Sequence, residues 1–452
     1  MSIIASVSPG EEVDAPGGLG RLSRAQVGIL VLCGLVGLLD GNDTAAMGIG
    51  APSIAAALQL RPGAIGWAIS GSFYGAALGA LVFGLLGDRI GRKKVLVAAV
   101  VVFGAFTLLT PWARTLPELV AIRILAGLGL GGATPCFITL ASEYTPARVR
   151  GAAVSAVWAS FPLGILVGGL LNGALLTRFS WESIYLVGGV APLLVAAVLA
   201  VAIPESLAFL AGRPGEEERI RGIRRRVGLP LNDDAGVSAP SQPGPRGLGL
   251  RPLLARDKMR TTLCIWTILF ACFGTTATLS WVPTVLHNTG VSLSAAAVAS
   301  SFLGLGALIG MGVAGQLLDR FGPVRALALP VVCGAGATVA LGYGVASPAL
   351  SAVLVALVGM LVGVGASGGI ALVTLVYPPA VRATGAGWAM SLGRMGQVVL
   401  PGLFGILLGA NWGAPALFAL LGVAPLVAAI AIWWMRQQSM SSISTGSSAT
   451  VP

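Results

Sequence analysis

Four charged residues interrupt stretches that are otherwise apolar: Asp40, Asp43, Arg123 and Arg394. A charge at the centre of a bilayer costs roughly 2.5–3.5 kcal/mol on insertion scales, so residues of this kind are candidates for proton transfer or for pairing with an ionic ligand. Asp40 and Asp43 stand in Leu39-Asp40-Gly41-Asn42-Asp43-Thr44, and a spacing of three is expected to put both carboxylates on one helix face. Two carboxylates held close in a low-dielectric medium resist being ionised together, which suits a site that takes up and releases a proton. The plainer alternative is that one of them only neutralises Arg123. Arg123, in Ala121-Ile122-Arg123-Ile124, falls about 9 Å inside its helix, a depth that roughly matches Asp43. A pair between them, structural or functional, is expected.

Arg394 lies in Ser391-Leu392-Gly393-Arg394-Met395-Gly396-Gln397, roughly 18 Å deep and near the midplane. The C-terminal half offers no intramembrane acid beside it, so its counter-charge comes from the other half or from a substrate anion. A guanidinium stays charged and meets a carboxylate in bidentate fashion. Ser391 and Gln397 are expected to share its face and to hydrogen-bond a ring hydroxyl, helix–helix hydrogen bonding being the alternative. Trp158, Phe161 and Trp388 fall at central depth and are suited to stack on an aromatic ring. At the membrane edge, Glu143, Arg148 and Arg150 join Asp88, Arg89 and Arg92 in an expected charge cluster. Such a cluster latches a gate if it is only marginally stable, as alternating access requires; ordinary solvation of two loops is the alternative.

Other chemistries find no support. The five cysteines fall in apolar runs and read as small buried residues. His287 is the lone histidine and reads as a loop residue. No spacing of His, Cys and carboxylates suits a metal, no phosphate-binding loop is present, and no catalytic constellation stands out. No cofactor is expected. Movement of a solute would be driven by an ion or substrate gradient.

The elements that carry these residues follow from composition. The 452 residues are 56% hydrophobic and 10% charged, where soluble domains run near a quarter charged. A bilayer core of about 30 Å needs roughly 20 apolar residues per helix. Twelve such runs are counted, at 25–57, 64–86, 95–111, 117–140, 150–176, 183–203, 259–286, 294–318, 324–345, 350–376, 382–407 and 412–435. The net charge of +11 would suggest nucleic acid in a soluble protein. Here the basic residues lie in short loops and report orientation, so no nucleic-acid partner is expected. With both termini cytoplasmic, the outer loops carry only Arg61, Arg114 and Arg178. Trp112, Trp181, Trp281, Trp412, Trp433 and Trp434, near helix ends, read as interface anchors. The polar start of the chain, followed by many apolar runs, argues against a cleaved signal peptide.

Division of the chain follows: an N-terminal tail (1–24), a six-helix bundle (25–203), a linker (204–258) with a short amphipathic helix and a Pro/Gly/Ser-rich portion ending near Arg246, a second six-helix bundle (259–435) and a C-terminal tail (436–452). The bundles echo each other. Gly84-Leu-Leu-Gly-Asp88-Arg89-Ile-Gly91-Arg92-Lys93-Lys94 recurs 231 residues on as Gly315-Gln-Leu-Leu-Asp319-Arg320-Phe-Gly322-Pro-Val-Arg325. Parallel repeats of this kind place a substrate site between the halves, near the midplane.

The loop Gly84–Lys94 resembles the signature of the major facilitator superfamily, and the resemblance extends from about residue 25 to 435. Pro204-Glu205-Ser206 is similar to a motif of sugar and organic-acid porters. The Asp-Gly-x-Asp element at Asp40–Asp43, the run Gly127–Pro135 after Arg123, Ser142-Glu143-Tyr144 with Arg148 and Arg150, and Gly393-Arg394-x-Gly396 with Pro401 resemble the aromatic acid:proton symporters. Cys136 stands where many members carry Asn.

The resemblance implies an all-α fold of two six-helix bundles related by a pseudo-two-fold axis. It implies import of a small aromatic carboxylate of the hydroxybenzoate, benzoate or protocatechuate type, with protons, by a monomer in a bacterial inner membrane. It also implies proton coupling at Asp40 and Asp43 and anion binding at Arg123 and Arg394. The rivals are a symporter of an aliphatic or other organic anion, a drug-efflux antiporter and a membrane sensor. The fifth run lacks the Gly-Pro-x-x-Gly-Gly element usual in drug antiporters, and the linker is too short for a signalling domain.

Overall fold

The computed structural model describes residues 22–446 apart from 62, 147, 230–252, 256–257 and 378. The expected Pro/Gly/Ser-rich part of the linker, residues 1–21 of the N-terminal tail and residues 447–452 lie outside the described residues. In a bilayer the backbone finds hydrogen-bond partners only within its own segment, so each apolar run becomes a helix. Among the described residues twelve helices are long and apolar enough to span. The first six are α1 (Arg24–Ala57), α2 (Gly66–Ile90), α3 (Arg92–Leu109), α4 (Leu116–Glu143), α5 (Arg150–Arg178) and α6 (Glu182–Ala202). Two short helices follow, α7 (Leu207–Ala211) and α8 (Glu217–Val227). The second six spans comprise α9 (Met259–Thr278) continued by α10 (Val282–Asn288), α11 (Leu293–Gly344), which makes two spans, α12 (Pro348–Val376), α13 (Pro379–Gly409) and α14 (Ala414–Gly446). Twelve crossings return the chain to the side from which it started. That end of the bundle, with the start of α1, the end of α14 and α8, is the proximal end; the other is distal.

Residues Asp40–Asp43 do not break α1, which runs on as one helix past Pro52. The repeated loop motif has the same backbone twice. Gly91 ends α2 at φ 107°, and Gly322 kinks α11 at φ 72°, 231 residues later. Both angles lie where side-chain-bearing residues are strained. Each glycine turns the chain from one span into the next.

The helix α8 has Glu217 and Glu218 in its first turn and Arg224–Arg226 in its last, the order that suits the helix dipole. Its Ile220, Ile223 and Val227 pack on the core of the first bundle. Ser23, the N-cap of α1, donates its hydroxyl to the Val227 carbonyl at 2.6 Å. The linker helix is thereby tied to the start of the first span.

The halves meet at the distal end. The Ser70 hydroxyl of α2 donates to the Val398 carbonyl of α13 at 3.1 Å. Gly63 and Gly66 pack on Gly405, Gly48 on the Ser280 backbone, and Gly169 on Ser301. Trp281 fills this seal. It is fully buried and donates to the Pro401 carbonyl at 3.0 Å, so it is a core residue and not the interface anchor its position near a helix end suggests. Toward the proximal end α2 and α13 part: among the described residues, no atom beyond their own helix backbone comes within 4 Å of where a Cβ would stand on Gly84 or Gly387. Sealed distally, the space between the bundles opens proximally.

Candidate functional site

The space between the halves is a cavity walled by α1, α2, α4 and α5 on one side and α9, α11, α12 and α13 on the other. Among the described residues its charged lining residues are Asp40 and Arg394. They come from opposite halves. Among the described residues neither side chain enters an ion pair. Two opposite charges kept apart in a mostly apolar cavity leave room for a third charge between them. Trp158 and Phe161 line the wall of the first half, and Phe273 faces in from α9. These rings give the cavity aromatic lining from both halves.

Asp43 and Arg123 do not reach the cavity. They form an ion pair behind its wall, with Arg123 fully buried and Asp43 3% exposed. The Thr107 hydroxyl of α3 donates to Asp43 at 3.2 Å, and Arg123 Nε donates to the Ser72 hydroxyl of α2 at 3.0 Å. The guanidinium also lies 5.9 Å from the centre of the Tyr185 ring on α6. A buried pair is held by the further hydrogen bonds made to its groups; α2 and α3 supply one each, and α6 adds the ring contact, while Arg123 Nη1 has no described partner. The expected shared face of Asp40 and Asp43 therefore splits. Three residues turn a helix by about 300°, which leaves about 60° between the two side chains, enough to send one into the cavity and one into the bundle. For the same reason Arg123, expected to help hold the ligand, is not within the ligand's reach in this conformation.

The residues around Arg394 divide as well. Gln397 lines the cavity, whereas Ser391 does not: it is exposed and donates to the Gly387 carbonyl of its own helix at 2.9 Å. Positions three before and three after Arg394 lie about 60° to opposite sides of it, so only one flank can face inward. Trp388, six residues before Arg394, is turned about 120° away; its ring packs against Trp266 at 6.1 Å, outside the cavity. The cavity adds residues that sequence reasoning did not single out: Thr276, Ser280, Ser300 and Ser301 on the second half, with Met311 and Met390 nearer the opening. Ser and Thr are common in membrane helices, and nothing in their spacing marks these four.

The charge cluster forms around Arg92, which pairs with Asp88 at 3.3 Å and with Glu143. Glu143 also accepts from the Ser206 hydroxyl at 2.8 Å and from the Leu207 amide at 2.9 Å. Glu205 accepts from the backbone amides of Lys93 and Ser206 at 2.9 and 3.0 Å. The Tyr144 hydroxyl donates to the Glu205 carbonyl; burial, with Glu143 and Glu205 close by, pushes this phenol up, so it remains a neutral donor. The segment Pro204-Glu205-Ser206, after α6, thus ties the start of α3 and the end of α4 together. Arg150 donates to the Thr145 carbonyl at 3.4 Å, and Arg89 and Arg148 are exposed and enter no described ion pair. The described bonds of this cluster stay within the first half. Among the described residues no cluster of His, Cys, Asp and Glu could hold a metal ion.

The profile described as Major Facilitator Superfamily matches residues 33–366. The chain belongs to the Major Facilitator Superfamily. It is a transporter, not an enzyme. Among curated relatives, the 4-hydroxybenzoate transporter PcaK of Acinetobacter baylyi is 33% identical over 429 residues, which cover 93% of this chain and 92% of the relative. The gallate transporter of Pseudomonas putida is 34% identical over 405 residues, 89% and 90% of the two chains. Among solved structures, the inward-open xylose transporter XylE of E. coli superposes with a TM-score of 0.73 at 20% identity, covering 90% of this chain and 96% of that one. This last likeness concerns the fold. In the transporter, the cavity between the two bundles is the candidate substrate site.

Proposed function

We propose that this transporter imports a small aromatic carboxylate together with protons, as a monomer with both termini in the cytoplasm of a bacterium. The observation that carries the reading is the facing pair of Asp40 and Arg394 in one aromatic-walled cavity. The names of the relatives, transporters of 4-hydroxybenzoate and gallate, support the aromatic acid. The placement of Lys and Arg supports the orientation, which makes the proximal opening a cytoplasmic one.

The chemistry follows from competition for one guanidinium. Ionised Asp40 attracts Arg394 and disfavours a second anion between them. A proton on Asp40 removes that competitor, and the substrate carboxylate then pairs with Arg394 while its ring lies against Trp158, Phe161 and Phe273. With the charges in the cavity balanced, the halves close and reopen toward the cytoplasm. Loss of the proton from Asp40 restores the competition and drives the anion out. Asp43 and Arg123 act indirectly, by holding α1 so that Asp40 keeps its aim. The Arg92–Glu143 cluster braces the cytoplasmic end of the first half.

The test is uptake of labelled 4-hydroxybenzoate into proteoliposomes under an imposed inward proton gradient. Gradient-dependent uptake, blocked by aromatic acids and not by succinate or lactate, is expected. Uptake indifferent to the gradient would remove proton coupling. Competition by succinate or lactate and by no aromatic acid would instead favour an aliphatic substrate.

A further inference from the structure

The hydroxyl groups of the cavity wall are already oriented by their own helices. Thr276 donates to the carbonyls of Cys272 and Phe273 at 3.1 and 3.0 Å. Ser280 donates to Ala277 at 2.8 Å, Ser300 to Ala296 at 2.7 Å and Ser301 to Val298 at 2.6 Å. A hydroxyl carries one donor hydrogen and two acceptor lone pairs. With the hydrogen bound to a carbonyl three or four residues back, what remains is acceptor capacity. All four residues line the cavity, so this stretch of wall accepts hydrogen bonds and offers none without breaking one of its own.

The wall stands apart from Arg394. Gly396 packs on the Phe270 carbonyl and Gly274 on Leu400, which sets the register of the parallel helices α9 and α13. Gly274 also meets the Gly396 carbonyl, so Thr276 is level with residues 398–402, about 6–12 Å from Arg394 toward the sealed end. Ser280 lies a further turn away. Ser301, against Gly169, also lies on the sealed side of Asp40, because Gly168 packs on Asn42. An aromatic acid whose carboxylate meets Arg394 therefore points its far substituents toward these hydroxyl oxygens. Gln397, between the two, has an amide that donates and accepts alike and does not discriminate.

We infer that Thr276, Ser280, Ser300 and Ser301 form an acceptor-only wall that selects aromatic monoacids whose distal ring substituent donates a hydrogen bond. The inference rests on the reading of Arg394 as the carboxylate anchor. Hydroxyl and amino substituents satisfy the wall. A fluoro substituent resembles hydroxyl in size and donates nothing, and an unsubstituted ring leaves the wall unpaired. A second carboxylate brings lone pairs against lone pairs and is rejected. Donor character, and not polarity or size, is what the site reads.

The experiment is displacement of labelled 4-hydroxybenzoate from the purified full-length transporter in lipid nanodiscs by 4-aminobenzoate, 4-fluorobenzoate, benzoate and terephthalate. The amino acid is expected to compete nearly as well as unlabelled 4-hydroxybenzoate. The fluoro and unsubstituted acids are expected to be weaker by about 3- to 10-fold, the worth of one net hydrogen bond, and terephthalate weaker still. In Thr276→Val and in Ser300→Ala the ratio of the fluoro to the hydroxy displacement constant should fall toward one. In Ser391→Ala, outside the cavity, it should stay as in the wild type. Equal displacement by fluoro- and hydroxybenzoate in the wild type would overturn the acceptor wall, and this arm needs no variant to fold. An unchanged ratio with all four hydroxyls removed together, in protein that still binds, would overturn the assignment of these residues. Failure of every aromatic acid to bind would be a different outcome: it removes the reading of the site, and this inference with it.

Discussion

The two acids of α1 each have an opposite charge to answer, Arg123 for Asp43 and Arg394 for Asp40, and the two pairs are built in opposite ways. Asp43 and Arg123 are in contact, buried, and braced by Thr107 and Ser72. Asp40 and Arg394 face a shared cavity, and their side chains enter no ion pair among the described residues. The first pair lies wholly within one bundle, so rocking of the halves does not separate it. The second pair spans the two bundles, so its separation changes whenever they move. A pair of the first kind serves as a brace. A pair of the second kind responds to a proton or an anion, because either one alters the attraction between the halves.

The sharpest way to break this contrast is to remove Arg394. In Arg394→Ala, binding of 4-hydroxybenzoate in nanodiscs is expected to weaken by about 100-fold or more, as when one partner of a buried charge pair is truncated. Wild-type affinity in that variant would take Arg394 out of the site. Next, Asp43→Asn or Arg123→Gln strands a buried charge and should destabilise the protein by about 3–5 kcal/mol, read as a lowered melting temperature in detergent. The double variant should lose less than the two singles added, since neither charge is then left alone. Equal and additive losses would mean that the pair is not the brace it resembles.

Asp40→Asn tests the other pair. Anion affinity in the wild type should be highest at low pH, where Asp40 is protonated, and should fall as pH rises through its titration. In the variant the competing charge is gone at every pH. Affinity should then be flat across the same range, exchange of labelled for unlabelled substrate should persist, and accumulation under a proton gradient should cease. A variant that still accumulates substrate would move the coupling elsewhere. The smallest effect is expected where the structure turns residues away from the cavity: Ser391→Ala and Trp388→Phe should each change the uptake rate by less than about 2-fold, the range of ordinary surface substitutions.

Much of the site was legible one residue at a time. Charged residues in apolar runs are conspicuous because a bilayer penalises them; of the four singled out that way, Asp40 and Arg394 line the cavity and Asp43 and Arg123 do not. Trp158, Phe161 and Gln397 were found from depth and proximity. What a single helix does not reveal is which sector of its surface meets which neighbour. Ser391 and Gln397 are equivalent by spacing, and only the position of the cavity separates them. The same holds for Asp40 and Asp43. Trp281 shows the limit from another side: a tryptophan near a helix end is ordinarily an anchor at the interface, but here the close approach of Gly66 and Gly405 encloses it. The hydroxyls of Thr276, Ser280, Ser300 and Ser301 carried no signal at all, since their importance depends on two helices far apart in sequence.

By itself the amino-acid sequence determined the twelve helices, their division into two repeated halves and the kind of charge each half brings to the midplane. These are consequences of local physics: apolar length against bilayer thickness, the need to satisfy the backbone, and the cost of a buried charge. Tertiary structure alone decided which charges touch and which stay apart, because that depends on how helices from different parts of the chain pack and on which end of the bundle the halves seal.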